Sequence, residues 1–114
     1  MIEAAISLFL SQSDWREAIQ PGDWRLLSNT PARQVFVREP GRLEMRVETT
    51  EGSALYILSL NCVERTAQAV VVERYDRNNL AGVVAPSPPG VFPLPHGPGS
   101  DVELVADVVC RPQG

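Results

Sequence analysis

The chain has 114 residues, 44% of them apolar, with 14 acidic and 10 basic side chains, two cysteines and one histidine, enough for one domain around one core. A net charge of −4 argues against nucleic-acid binding, which needs a concentrated basic surface, and no apolar run approaches the roughly 20 residues of a membrane helix. Two cysteines and one histidine cannot complete a tetrahedral structural zinc site unaided. Every basic residue is an arginine: Arg16, Arg25, Arg33, Arg38, Arg42, Arg46, Arg65, Arg74, Arg77 and Arg111. Their even alternation with acids reads as mixed surface charge from GC-rich codon usage, rather than as a function.

Residues 1–13, MIEAAISLFLSQS, are apolar from Ala4 to Leu10 and end in small polar residues. A secretory signal also needs a positive leading region, and Glu3 is the only charge before Asp14. The segment is read first as a signal remnant or degenerate signal, and second as a short amphipathic helix with Ile2, Ile6 and Phe9 or Leu10 on one face. The remainder, 14–114, is expected to form a single domain.

Asp14 to Ile19 reads as a helical turn, with Asp14 and Glu17 at capping-box spacing, stopped by Pro21-Gly22. Short strands follow. Trp24 to Leu27 is the first, before the breaker Asn29-Thr30-Pro31. Gln34 to Arg38 is the second, with Val35 and Val37 on one face. Leu43 to Thr49 alternates most clearly: Leu43, Met45 and Val47 point one way, and Glu44, Arg46 and Glu48 the other. That pattern predicts one buried face and one solvated face.

After the turn at Glu51-Gly52, Ala54 to Asn61 is apolar on both faces and reads as a central strand. Ala67 to Tyr75 is valine-rich and forms the fifth strand. Asp76-Arg77-Asn78-Asn79 has hairpin-turn chemistry, and Leu80 to Ala85 returns as the sixth. Residues 86–99, PSPPGVFPLPHGPG, hold six prolines and three glycines. They form neither a helix nor an interior strand but a stiff connection that Val91, Phe92 and Leu94 can pin to the body. Ser100-Asp101-Val102-Glu103 then reads as a capping box. Leu104, Val105, Val108 and Val109 form the apolar stripe of a helix of about ten residues ending at Pro112. The derived fold is α+β: about six mostly antiparallel strands followed by a C-terminal helix.

Cys62 and Cys110 stand 48 positions apart, without a C-x-x-C or a nearby histidine. In a cytosolic protein they would be two buried thiols; in an exported one their even count suggests a disulfide, and a disulfide is expected.

The second half resembles the bacterial surface-adhesin protein E-like domain, found in exported proteins of Gram-negative bacteria. Asn61-Cys62 followed by Val63-Glu64-Arg65 is similar to that family's polar-Cys-x-x-Arg step. Glu73-Arg74-Tyr75-Asp76 resembles its strand ending in a Tyr-Asp turn. Pro98-Gly99-Ser100, Glu103-Leu104 and Val108-Val109-Cys110 resemble its start of helix and terminal cysteine. The likeness covers residues 54–112 and extends less firmly over Trp24 to Glu48. It implies a bent antiparallel sheet with the C-terminal helix packed on it, a disulfide joining that helix to the sheet, and a periplasmic or cell-surface location. The chain departs from the family where a Trp precedes Pro-Gly-Ser, Phe92 being the nearest substitute. It also lacks an N-terminal lipoprotein cysteine, so outer-membrane anchoring is not carried over, and neither are ligand residues.

His96 lies in a loop with no second ligand or nucleophile placed beside it, so neither catalysis nor metal ligation is expected, and no cofactor is implied. Glu44, Glu48, Glu51 and Arg46 read as a solvated strand face, and Trp15 and Trp24 as packing residues. The proline-rich loop is the best interaction candidate, through Val91, Phe92, Leu94 and His96. The expected function is therefore a small, exported, non-enzymatic binding or structural domain whose protein or envelope partner is unknown. The alternative is a periplasmic inhibitor that inserts residues 86–99 into a hydrolase. An exposed strand at either sheet edge also offers a pairing surface for a second copy, giving a homodimer.

Overall fold

Alternation of apolar residues builds an antiparallel meander in which each of the first six strands pairs with its sequence neighbour, so short turns suffice for these connections. A computed structural model describes residues 15–39, 41–86 and 90–110. The segment 1–13 and the cap at Asp14 lie outside the described residues. The strands are β1 (Arg25–Asn29), β2 (Arg33–Arg38), β3 (Leu43–Thr49), β4 (Gly52–Asn61), β5 (Thr66–Arg77) and β6 (Ala81–Pro86). A two-residue β7 (Phe92–Pro93) and a helix, α1 (Asp101–Val109), follow. Residues 15–17 form a helical turn. The β1–β2 and β4–β5 ladders each carry a one-residue bulge, which bends strands locally, and the β5–β6 ladder shifts register between Tyr75 and Arg77.

One face of the sheet carries Val35, Val37, Met45, Val47, Leu58, Ala69 and Val72, and Val105 of α1 packs into them. The helix buries Val102, Val105 and Ala106, with Val109 against the same cluster. The expected stripe of Leu104, Val105, Val108 and Val109 is thus rotated: the buried residues are 102, 105 and 106, with 109 partly buried beside them. Small Ala106 allows close approach, while Asp101, Glu103 and Asp107 meet arginines of the sheet and its turns.

Ser100 caps α1 as expected, its hydroxyl accepting from the Glu103 N–H at 3.1 Å. The reciprocal half of the capping box does not form. Ser100 N–H donates to Gly97 O, and the Glu103 carboxylate accepts from Arg65 instead. The helix is fixed at three places. Arg33 grips Asp101 with both terminal nitrogens, at 2.9 and 2.8 Å. Arg65, in the β4–β5 turn, reaches Glu103 and Asp107. Cys62, in the same turn, is disulfide-bonded to Cys110 at the helix C-cap, with Cα atoms 5.4 Å apart.

Two turns need particular residues. Gly52 has φ +140°, and a Cβ there would sit 2.3 Å from Tyr75 O, so the β3–β4 hairpin can lie against β5 only with glycine. The β5–β6 turn is Asn78-Asn79-Leu80, with Asn79 and Leu80 at φ 65° and 56°. Leu80, expected to open the sixth strand, belongs to the turn instead. Ser53 holds that conformation by accepting from the Leu80 N–H and donating to Arg77 O.

Replacing both cysteines by serine should lower unfolding free energy in urea by about 2–5 kcal/mol. Ser100→Ala, which loses one cap bond, should cost only about 1 kcal/mol.

Candidate binding site

The proline-rich segment is anchored from both directions. Phe92 and Pro93 pair with Ala69 and Gln68 of β5, and the Leu94 N–H donates to Ala67 O at 3.0 Å. Consecutive residues of an extended segment face opposite ways, so Phe92 and Leu94 turn toward the core cluster while Val91, Pro93, Pro95 and His96 are exposed. The four candidate binding residues therefore separate: Phe92 and Leu94 pack, whereas Val91 (52% exposed) and His96 are presented outward.

Beside this segment runs an open groove of about 750 Å³ whose lining includes Ser59, Asn61, Thr66, Gln68, Pro93 and His96. Ser59 pairs with Gln68 and Asn61 with Thr66 across β4 and β5, so their side chains share one face. Asn61 also organises the turn, its side-chain oxygen accepting from the N–H groups of Val63 and Glu64, both at 3.0 Å. The groove offers hydroxyls, amides and one imidazole, with the Glu64 carboxylate at its edge. These are donors and acceptors suited to an extended polar ligand. Sequence reasoning missed Ser59, Thr66 and Gln68. Their signal was the alternation Ser-Leu-Asn and Thr-Ala-Gln at facing strand ends, where uncharged polar residues stand on the face away from the helix.

Glu44, Arg46 and Glu48 are buried, not solvated as the alternation suggested: Arg46 is 2% exposed and Glu48 0%. The cover comes from distant segments. Arg46 Nε donates to Glu48 at 2.5 Å, its Nη1 to Gln20 O, and its Nη2 to the Asn79 side chain. Glu48 also accepts from the Asn78 side chain and the Asn79 backbone N–H. Asn79 in turn donates to Ala18 O and accepts from the Gln20 N–H. Phe36 lies under the Arg46 guanidinium at 4.8 Å, and Trp24 stacks on Arg38 at 4.1 Å. With water excluded and its oxygens engaged, Glu48 is placed for structure rather than for substrate.

Hydrogen bonds to carboxylates raise three guanidinium pKa values: Arg33 through Asp101, Arg38 through Asp23 and then Glu44, and Arg65 through Glu103 and then Asp107. Burial, reinforced by its hydrogen bond to Glu73, raises the Tyr75 hydroxyl. Among the described residues no cluster of three or more His, Cys, Asp or Glu is arranged to hold a metal ion. No helix among them is long and apolar enough to cross a membrane. Comparison of the chain with protein-family models, curated proteins and solved structures finds no match.

Glu48→Leu or Arg46→Met alone strands a buried partner and should cost about 3–5 kcal/mol in chemical unfolding. The double variant should cost clearly less than the sum, giving a coupling energy by double-mutant cycle. Phe92→Ala, which removes a half-buried ring, should lower stability by about 1–3 kcal/mol.

Proposed function

We propose that this chain is a small exported domain, periplasmic or at the cell surface, that binds a protein or envelope component and has no catalytic chemistry of its own. The Cys62–Cys110 disulfide is the observation that carries the reading. Such bonds persist in oxidising compartments and are rare in cytosolic proteins. The likeness to surface-adhesin protein E-like domains, which rests on the Cys62-x-x-Arg65 step and the cysteine ending the helix, supports the same compartment.

The contact surface in this reading is the groove between Ser59, Thr66, Gln68 and the proline-rich segment. A segment already tied to β5 by backbone hydrogen bonds loses little conformational entropy on docking. Its exposed Val91 and His96 stand beside polar side chains able to orient a ligand. The alternative, a hydrolase inhibitor inserting residues 86–99, draws on the same stiffness. It is less well supported, because Phe92 and Leu94, the bulky residues such a loop would insert, pack against the core cluster.

Protein isolated from its native source and titrated under denaturing, non-reducing conditions should contain no free thiol; two free thiols would defeat the export reading. Envelope components captured by the wild-type chain should be lost with Gln68→Arg or Ser59→Arg at unchanged melting temperature. Capture that survives both variants would place binding elsewhere.

A further inference from the structure

Among the described residues β6 ends the sheet, pairing with β5 on one side only. Its six residues, Ala-Gly-Val-Val-Ala-Pro, carry no charge, and Val83 is 74% and Val84 42% exposed. Folded proteins normally blunt such an edge with charges, bulges or a covering element, because its free N–H and C=O groups template another strand. The opposite edge is blunted in this way. β1 begins with Arg25, is bulged between Leu26 and Ser28, and lies next to α1.

The hydrogen-bonding pattern of β6 shows which groups are on offer. The Val83 N–H donates inward, to Asp76 Oδ1 of β5 at 2.8 Å. Alternation along the strand therefore turns the Val84 N–H and C=O outward, away from β5. The next outward position is Pro86, whose missing N–H takes nothing from the β5–β6 ladder.

We propose that β6 pairs antiparallel with β6 of a second copy about a two-fold axis at Val84, joining the two sheets into one. Two-fold pairing sets each strand against itself, so a charged edge would bring like charges together across the axis. A neutral edge has no such penalty. With Val84 on the axis, the two Val84 side chains meet on one face of the joined sheet, and on the other each Val83 faces Ala85 of the second copy. Because both copies use β6, the edges that remain among the described residues are the two β1 strands, which are blunted, and the two-residue β7, too short to extend a sheet, so growth stops at a dimer. This inference does not rest on the binding function proposed above.

Sedimentation equilibrium of the full chain over a wide micromolar range should show a reversible transition to twice the chain mass. Val84→Lys, which opposes like charges across the axis, should weaken dimerisation at least about tenfold, equivalent to about 1.4 kcal/mol. Leu26→Lys on β1 should leave it unchanged. In the wild-type chain, amide exchange at Val84 should slow as concentration rises, a reading that needs no variant. A single-chain mass at every concentration would overturn the proposal. So would a Val84→Lys dimer as tight as wild type, loss of the dimer with Leu26→Lys, or concentration-independent exchange at Val84.

Discussion

A carboxylate shut away from water must be surrounded by donors, and Glu48 meets that requirement with groups from two parts of the chain. Arg46 comes from its own strand, and Asn78 and Asn79 from the β5–β6 turn. Arg46 and Asn79 then hold the segment around Ala18 and Gln20 through backbone atoms. None of these pieces can move independently without exposing a buried charge or orphaning a donor, each costing several kcal/mol. Well-packed apolar residues often fill such a site with no loss of stability. What the polar cluster adds is position: it sets where the N-terminal segment crosses the sheet and how the 78–80 turn closes.

The other face solves a different problem. A nine-residue helix is too short to be stable alone in water, so α1 depends on its packing and its tethers. The buried valines supply non-directional attraction, while Arg33, Arg65 and the disulfide fix start, middle and end. The tethering ion pairs are half-exposed, and such pairs contribute little individually. Their geometry still explains the rotation of the apolar stripe. Once Asp101, Glu103 and Asp107 are aimed at arginines, Val102, Val105 and Ala106 are left facing the core.

The meander was legible because β2 and β3 carry a period-two pattern, β4 and β5 are rich in apolar and β-branched residues, and every turn except that at 62–65 carries its own glycine, asparagine or proline. Local signals sufficed for β2, β3 and the Ser100 cap. The disulfide was expected from the even cysteine count only on the assumption of export, since spacing alone left free thiols open. Burial of the Glu44, Arg46 and Glu48 face was not legible. Alternation reveals which residues share a face; it does not reveal what lies over that face, and the cover here is supplied by residues about 30 positions away on both sides. The groove was missed for a related reason. Ser59 and Gln68 are unremarkable singly and become a surface only when β4 and β5 are set in register.

The arginine-only composition takes on a second meaning in this setting. Codon usage accounts for a preference, but not for the demands made at four positions. Arg33 grips one carboxylate with two parallel bonds. Arg38 bridges Asp23 and Glu44 while its flat guanidinium rests on Trp24. Arg46 divides three nitrogens among Glu48, Gln20 and Asn79 over the Phe36 ring. Arg65 spans two carboxylates of one helix. Lysine, a compact point charge without a planar fork, can reproduce none of these arrangements. Whatever made arginine the only cation in this chain, the fold now uses its shape as well as its charge.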